Sequence, residues 1–540
     1  MKCPNCSGTL YFDIKSRKLK CHSCDSVFDV DKYEGNNDAA EDVISGVRLF
    51  TCRNCGAELI SANDEAVSYC SYCGSEAILE GNLEGVKRPK YIIPFRVTKA
   101  ECKEIYKKAL EHKMYVPKEF KDPEFIDRFR PFYIPYWMYQ IRFRDDSFDL
   151  KGYKNYTLGG YDYHDEYEVT ASVDDEGIYG FPFDASRNFD DSIAEKIAPF
   201  NRRDLTEYRP GYLAVMYADS PYVESETYKS EVMEKASDEV VKNIEQRFGN
   251  ITLKFPKKKK LQEFLQTTYA GEDTMFLPVW FLTWKKNDRV AYAVVNGQTG
   301  QIHIDLPADI NQFIFYTLAG AAILFILFTL FVSVTSRFVI WFSALLVYLV
   351  SIRYHKELKE IRDRENHVFD KGYLLTDEDE LKMSEKKRDR LRRKGKGLFA
   401  GAASTVTIIT IVLFVFATSF AMLGEIYDAL VSQTGAIAIT FLVGVLEVIR
   451  FVKLLAVTRY LKNRRSFFFS ILAMGAVGYS FFVAVSEPVQ DWWYYLGALI
   501  CLAAATFMAV DLIARYNESS TRPLPSFYTR KGGNDRVKDY

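Results

Sequence analysis

Four short segments near the N-terminus decide the fold of the first eighty residues: CPNC (3–6), CHSC (21–24), CRNC (52–55) and CSYC (70–73). They form one pattern written twice, 49 residues apart, and each copy reads C-x2-C, fourteen residues, C-x2-C. Two residues between cysteines make a tight turn that directs both sulfurs at one metal ion, and a hairpin brings the second turn opposite the first. The spacing predicts two tetrahedral four-thiolate sites, one formed by Cys3, Cys6, Cys21 and Cys24 and the other by Cys52, Cys55, Cys70 and Cys73.

This ligand set favours two structural Zn²⁺ ions held in tandem β zinc ribbons at residues 1–30 and 47–80. Iron also takes four thiolates, and cross-braced pairing of alternate turns is an alternative to tandem closure. His22 lies inside a turn, but four cysteines already fill the site. Because no coordination position is left for a water molecule, zinc catalysis is disfavoured. The ribbons are then either a docking surface or caps on the next domain, and the acidic linker at residues 25–46 does not favour a phosphate backbone.

The composition of this 540-residue chain indicates several structural units in a reducing compartment. The formal net charge of −1 gives no global signal for nucleic acid, although charged tracts and apolar runs occupy different regions. The chain opens MKCPNC, without an apolar stretch that resembles a signal peptide, so its ten cysteines favour metal over disulfides. Cys102 and Cys501 lie outside the repeated pattern and are expected to be small buried hydrophobic side chains.

An α+β domain is predicted at residues 90–310. Its signals are a strand at Tyr91–Val97, a helix opened by a capping box of Thr98 and Glu101, a second helix at about Glu224–Phe248, and a hairpin turn at Asn296-Gly297. The segment YIPYW (133–137) is similar in sequence to FLPVW (276–280), which suggests a duplicated β-rich unit. The similarity covers five residues in each copy, so a duplication remains one of two interpretations, the other being coincidence.

Catalytic motifs are not evident in this domain. His164 and His303 stand in no recognisable triad or metal-ligand spacing, and the sequence has no G-x-x-x-x-G-K-[ST] loop. The acidic residues around Asp184 and Asp190 are predicted to be loop or helix-cap residues rather than cation ligands. The basic run at residues 257–260 is predicted to be a solvated loop. The expectation is therefore a protein that is not an enzyme.

From residue 313 onward, long apolar stretches predict an all-α transmembrane bundle of about six helices. A transmembrane hairpin occupies 313–352, a charged loop 353–397, four further helices 398–515 and a tail 516–540. The predicted spans are Phe313–Val334, Val339–Ile352, Leu398–Leu423, Val431–Leu455, Phe467–Val485 and Trp492–Ile513.

The distribution of charge orients these spans. The segment Arg353–Gly397 carries fifteen Lys/Arg against eleven Asp/Glu, whereas Gly424–Thr434 and Ser486–Asp491 carry no lysine or arginine. Six spans with both termini in the cytoplasm put the basic segments inside and also keep the cysteines reduced. The prediction is a multi-pass cell-membrane protein.

Charged residues within the spans are candidates for a transport pathway. Glu447 and Arg450 lie one helical turn apart in the fourth span, and Asp511 and Arg515 lie near the end of the sixth. Snorkelling of the arginines toward the inner membrane edge is the simpler interpretation.

Taken together, the paired CxxC turns, YIIPF, IPYW, DASRNFDDSIAEKIAPFNRRDLTEYRPGYLA and VVNGQTGQI resemble a group of bacterial membrane-anchored double zinc-ribbon proteins. Their ribbons are similar to that of transcription factor IIB, and relatives are often labelled primosomal helicase-like. The resemblance covers about residues 1–310 and implies little about activity, and the missing nucleotide-binding loop gives the helicase label no support.

Three functions agree with these features. The first is a non-enzymatic adaptor or sensor whose ribbons and α+β domain meet a protein partner at the cytoplasmic face of the membrane. The second is a membrane-tethered nucleic-acid-binding protein, and the third is a transporter or channel with a regulatory zinc-ribbon head. The first is favoured.

Overall fold

The fold comes from a computed structural model. The described residues are 1–33, 48–52, 54–61, 70–75, 80–82, 88–111, 113, 115–144, 146–173, 178–186, 189–214, 216–219, 225–316, 319, 335–365, 432–458 and 465–524.

The N-terminal half is dominated by β-structure. The strands are β1 (Leu10–Asp13), β2 (Lys18–Cys21), β3 (Val27–Phe28), β4 (Arg48–Thr51), β5 (Glu58–Ser61), β6 (Glu80–Asn82), β7 (Tyr91–Ile92), β8 (Arg130–Arg142), β9 (Phe148–Leu158), β10 (Tyr161–Ala171), β11 (Ile178–Asp184), β12 (Thr206–Glu207), β13 (Tyr217–Asp219), β14 (Thr252–Lys254), β15 (Thr268–Lys286), β16 (Arg289–Asn296), β17 (Ile302–Ile304) and β18 (Arg522–Pro523). The helices here are α1 (Lys99–Glu111), α2 (Pro123–Ile126), α3 (Asp191–Ile197), α4 (Lys229–Phe248) and α5 (Lys258–Phe264).

We call residues 1–308 the head, and one twelve-stranded sheet, which also takes in β18, organises it. Its main path is β12-β7-β15-β8-β13-β5-β4-β6, with β11 on β8, β16 on β15, and β17 and β18 on β16. The second ribbon is part of this sheet because β5 pairs antiparallel with β13. The first ribbon keeps its own three-stranded sheet, β1-β2-β3, and packs Phe12, Leu19 and Val30 into the core of the head.

The two similar segments YIPYW and FLPVW lie side by side at the centre of the sheet. β8 and β15 pair antiparallel, with Ile134 opposite Leu277, which are the second residues of the two segments and therefore equivalent positions. A local twofold axis therefore relates the two copies, which is the arrangement that a duplicated unit would produce. Both strands are buried in their central stretches, where their sequences are nearly continuously apolar.

Helix α1 confirms the predicted capping box. The Glu101 carboxylate accepts hydrogen bonds from the Thr98 amide and hydroxyl, each at 2.8 Å, and the Thr98 hydroxyl accepts from the Glu101 amide at 3.3 Å. The strand predicted at Tyr91–Val97 is shorter than expected and ends at Ile92. Pro94 cannot donate to a ladder, and the amides of Arg96 and Val97 both bond the Gly297 carbonyl instead. The helix predicted from Glu224 begins at Lys229.

A second, smaller layer flanks the main sheet. β9 and β10 form a long hairpin that β14 extends to three strands, and helices α4 and α5 cover its base around Val232 and Leu261. The outer half of the hairpin is exposed, including Leu158 and Tyr161 on either side of Gly159-Gly160, two glycines with positive φ.

Four helices in the described part of the chain are long and apolar enough to cross a membrane. They are α6 (Ser336–Glu365), α7 (Gln433–Thr458), α8 (Arg465–Ser486) and α9 (Trp492–Ser519). The predicted span Val339–Ile352 therefore belongs to a thirty-residue helix. The predicted span Leu398–Leu423 and nearly all of Phe313–Val334 lie outside the described residues, as does the charged loop beyond Glu365, so the six-helix bundle is not confirmed.

The four helices share one apolar core, which includes Val347, Val443, Val477 and Ala504. At one end of the bundle, the Ser336 hydroxyl donates to Asp491 at 2.9 Å, which brings the start of α6 beside the start of α9. At the other end, α9 meets the head through two reciprocal hydrogen bonds, in which the Ala308 amide donates to the Asn517 side chain and the Asn517 amide group donates to the Ala308 carbonyl.

Candidate metal centres and the junction between head and helices

The four cysteine turns share one backbone geometry. The residue after each second cysteine has positive φ, and it is Ser7, Asp25, Gly56 or Gly74. Its amide donates to the carbonyl of the first cysteine at 2.8–3.1 Å, and the amide of each first cysteine bonds the carbonyl five residues onward. Glycine adopts positive φ at little cost, which agrees with Cys-Gly in the second ribbon.

The sulfurs come together in two separate groups, as tandem closure predicts. Cys3, Cys6, Cys21 and Cys24 form one group and Cys52, Cys55, Cys70 and Cys73 the other, with all ligand atoms of a group within 4.8 Å of one another. Sulfur separations of 3.7 Å (Cys3–Cys24) and 3.6 Å (Cys55–Cys70) match the roughly 3.8 Å expected when four thiolates surround Zn²⁺ at about 2.3 Å. The residues therefore fit two metal ions. His22 is not a member of either group, and its ring stacks on Tyr11 with centroids 4.1 Å apart.

Hydrogen bonds favour the thiolate form of some cysteines and the thiol form of others. A hydrogen bond with Cys52 raises the pKa of both Cys55 and Cys70 well above its usual range. The Ser26 hydroxyl lies 3.2 Å from the Cys24 sulfur, and this hydrogen bond lowers the pKa of Cys24 to about 6. In the second group, hydrogen bonds from the other thiols, that of Cys52 first, hold the pKa of Cys73 far below its usual range. Amides of Gly8 and Ser23 also point at ligand sulfurs, each at 3.4 Å.

The two groups differ sharply in exposure. All four cysteines of the second group are buried, whereas Cys6 and Cys24 of the first are exposed. The residues inside the first ribbon's turns, such as His22, are exposed too, and Val27 beside them is 53% exposed. The first ribbon thus exposes its metal end, by which we mean its two cysteine turns, whereas the metal site of the second ribbon is buried.

The second site is enclosed by hydrogen bonds to its last turn, residues 70–73. The Tyr292 hydroxyl donates to the Tyr72 carbonyl at 2.6 Å, and Thr283 donates to the Ser71 carbonyl. The Tyr72 hydroxyl in turn donates to the buried Asp219 carboxylate at 2.8 Å. Strands β13, β15 and β16 therefore all hold the second ribbon, which makes it a structural part of the head.

A buried charge cluster lies next to this ribbon and joins the head to the end of α9. Arg522, the first residue of β18, donates to Asp305 at 2.6 Å and to Asp190 at 3.0 Å, and its guanidinium lies over the Tyr292 ring. Burial raises the pKa of Asp305, but Arg522 and a hydrogen bond from His303 outweigh that effect and lower it to about 2. The cluster therefore ties the segment after the last membrane helix to the strand that contacts the second ribbon.

The remaining candidates from the sequence have structural roles. Asp190 is the N-cap of α3 and accepts from the Ser192 amide at 2.7 Å, which confirms the predicted helix cap. His164 bonds Asn155 across the exposed hairpin. Lys257 precedes α5, so most of the basic run is helical rather than loop.

The four charged residues that the sequence singled out in these helices are paired within the bundle. Glu447 and Arg450 of α7 form a buried ion pair, and Ser351 of α6 donates to the Glu447 carboxylate at 3.1 Å. Arg450 is 6% exposed, so it does not snorkel as the sequence suggested. Tyr354 of α6 bonds Asp511 of α9, which also pairs with Arg515 at 3.5 Å.

Sequence reasoning missed the junction residues. Arg522 stands in a basic tail and Tyr292 in an ordinary apolar strand, so neither has a local signal. The one available hint was Asp305, an acidic residue in the otherwise apolar context IHIDL.

Comparison with known proteins adds one bacterial relative. The chain is 27% identical over 306 residues to "Uncharacterized protein YdjG" of Bacillus subtilis (strain 168), a similarity that covers 56% of this chain and 88% of that protein. No family model matches the chain, and no solved structure matches it. These comparisons assign no activity, so the geometry of the two clusters carries the functional conclusion.

Proposed function

We propose that this protein is a membrane-anchored zinc protein with a cytoplasmic head, in which the first ribbon docks a protein partner and the second holds the head together. The contrast in exposure between the two clusters carries the proposal. A ribbon that served only as a cap would bury its metal end, as the second ribbon does. The first ribbon buries its strands through Phe12 and Leu19 but leaves both turns exposed.

Zinc is the metal proposed for both sites, in ribbons of the transcription factor IIB kind. When bound, it cross-links two turns of each ribbon, which supplies folding free energy rather than chemistry. Sites closed by four thiolates leave no position for a substrate, which supports a non-enzymatic adaptor or sensor. The head lies at the C-terminal end of α9, which carries Arg515 and is followed by Arg522, and positively charged segments favour the cytoplasmic side.

A protein is the favoured partner because the exposed end of the first ribbon is mixed in chemistry. It presents an apolar side chain, Val27, an aromatic stack of His22 on Tyr11, and the ion pair of Lys20 with Asp25 at 3.1 Å. A surface that tracks phosphates would concentrate lysine and arginine instead.

The test is affinity capture of the full chain from its own cells, with and without nuclease. Val27→Asp alters the exposed end of the first ribbon without touching a ligand, and Leu158→Asp is the matched control at the hairpin tip, where the side chain is 65% exposed. We expect Val27→Asp to lose the captured protein while retaining two zinc ions per chain, and Leu158→Asp to keep it. Loss of every partner after nuclease would replace this proposal by the nucleic-acid-binding alternative. Retention by Val27→Asp would refute the docking role of the first ribbon.

The metal content is measured separately by elemental analysis. Cys24→Ser and Cys73→Ser should each reduce two zinc ions per chain to one. Because only the second site is enclosed by the head, Cys73→Ser should also lower the unfolding temperature of the head, and by more than Cys24→Ser, whose ribbon contributes Phe12, Leu19 and Val30 to the core. Equal effects of the two variants would contradict the proposed division of roles.

A further inference from the structure

A cavity of about 300 Å³ lies where the head meets the membrane helices. Its walls come from the loop after α1, the segment after β17, and the helices α6 and α9. Most of the lining is apolar or aromatic, including Leu306, Phe313, Leu512 and Tyr516. The volume is at the lower end of the range of about 300–1,000 Å³ that is usual for small-ligand sites.

The helices place this cavity at the membrane surface. The hydrogen bond between Ser336 and Asp491 places the start of α6 and the start of α9 at the same depth in the bundle, at the end away from the head. At about 1.5 Å per residue, Arg353 lies roughly 26 Å along α6 from Ser336, and Leu512 lies roughly 32 Å along α9 from Asp491. Both distances equal about one hydrocarbon thickness of 30 Å. The cavity therefore sits at the level where acyl chains give way to headgroups on the side of the head.

The charged side chains that line the cavity have a net positive charge. Glu357 has a side chain that is 3% exposed; it pairs with Arg353 at 2.7 Å and accepts from the Ser519 hydroxyl at 2.9 Å. The Arg353 side chain is still 48% exposed and has further donors to offer. Lys113 is exposed at the rim, and among the described residues no carboxylate pairs with it. Two cations against one carboxylate favour an anionic ligand.

We propose that the cavity binds one anionic phospholipid from the leaflet on the side of the head. An acyl chain lies against the apolar wall, and the phosphate meets Lys113 and Arg353. The ligand would contact the head and α9 at once, because Leu306 of the segment after β17 and Leu512 of α9 both line the cavity. This proposal does not depend on the docking role of the first ribbon.

The experiment measures lipid that stays on the full chain in a neutral detergent, by native mass spectrometry after addition of phosphatidylglycerol or phosphatidylcholine. We expect one bound phosphatidylglycerol per chain and much less phosphatidylcholine. Lys113→Gln should weaken phosphatidylglycerol binding about five-fold, since a cation near an anionic headgroup contributes roughly 1 kcal/mol. Lys108→Gln removes an exposed lysine from α1, which does not line the cavity, and should leave binding unchanged.

A second variant fills the cavity. Ala308→Leu adds side-chain volume at a lining position whose backbone bonds to Asn517 stay intact, so it should abolish phosphatidylglycerol binding while the chain keeps two zinc ions. Equal retention of both lipids by the unaltered chain would overturn the anionic assignment. Unchanged binding in Ala308→Leu, or equal losses in Lys113→Gln and Lys108→Gln, would show that the lipid does not bind in this cavity.

Discussion

Replacing Arg522 by methionine tests whether the buried charge cluster holds the C-terminal segment on the head. Arg522 is 8% exposed and bonds two carboxylates, those of Asp190 and Asp305. Methionine keeps a similar length and apolar stem but removes the charge and the donors. The variant therefore leaves two carboxylates in a buried site that was built around a cation.

The expected loss is about 3 kcal/mol. The pKa of Asp305 falls from 3.8 to about 2, a change that corresponds to about 2 kcal/mol of stabilisation. Removing one partner of a buried ion pair costs roughly 3–5 kcal/mol, and His303 remains as a hydrogen-bond donor to Asp305, which favours the lower value. For a unit as large as the head this loss lowers the unfolding temperature by roughly 6 °C.

The sign of the pH dependence follows from the same carboxylates. A carboxyl whose pKa is lowered on folding stabilises the fold above its ordinary pKa, so in the unaltered chain the contribution of Asp305 is constant between pH 8 and pH 6. In Arg522→Met, burial without the arginine raises the pKa of both carboxyls. Protonation of these carboxyls then removes the cost of burying an unpaired charge. The loss of unfolding free energy in the variant should therefore be smaller at pH 6 than at pH 8.

The assay is thermal unfolding of the full chain in a neutral detergent at both pH values. Adding Asp190→Asn and Asp305→Asn to Arg522→Met should recover most of the stability, because the two carboxylates that Arg522 pairs with are then neutral. A deficit below about 1 kcal/mol, or a triple variant as unstable as the single one, would refute the role of the charge cluster.

Three further predictions concern other contacts. Glu447→Gln leaves Arg450 buried without its carboxylate and should cost roughly 3–5 kcal/mol of stability, whereas replacing both residues by methionine should recover it. Thermal unfolding in detergent compares the two variants. Equal losses of stability in both would show that the unpaired arginine is not the cause of the loss. Tyr292→Phe removes the hydrogen bond to the second ribbon and should cost about 1 kcal/mol with two zinc ions retained; a loss of zinc would mean that this bond maintains the metal site itself. Val489→Cys, in the exposed turn between α8 and α9, should react with an impermeant maleimide in intact cells; reaction only after lysis would invert the proposed topology.

The two metal sites were predictable because their geometry is local. Two residues between cysteines fix each turn, and a repeated spacing of fourteen residues pairs the turns, so the eight sulfurs could be grouped before any long-range contact was known. The same locality made the Thr98 capping box and most of the apolar spans predictable. What spacing could not show is that β5 pairs with β13, which lies more than 150 residues away.

The interiors of the head and the bundle were less predictable because burial is a tertiary property. Arg450 has the same sequence context whether it reaches for the membrane surface or pairs inside the bundle. Its burial depends on the packing of α7 against α6, where its guanidinium also donates to the Ser351 carbonyl at 3.4 Å. The run Tyr91–Val97 has strand composition throughout, but the carbonyl of Gly297 takes the amides of its second half. In both cases a partner far along the chain outweighs the local preference.

Strand β16 connects the second metal site to the membrane helices. At its start, the Arg289 side chain donates to the Glu518 carbonyl at 2.6 Å and to the Thr521 hydroxyl at 2.7 Å, at the end of α9. At its middle, Tyr292 holds the last turn of the second ribbon. Folding of the ribbon around its metal and docking of α9 therefore stabilise the same strand. Because both depend on this strand, metal binding and α9 docking change each other's free energy by the same amount. A ligand that shifts α9 relative to the head should change the metal affinity of the second site by the same factor by which the metal changes the affinity for that ligand. The first site, which makes no such contact with β16 in the described residues, should be insensitive.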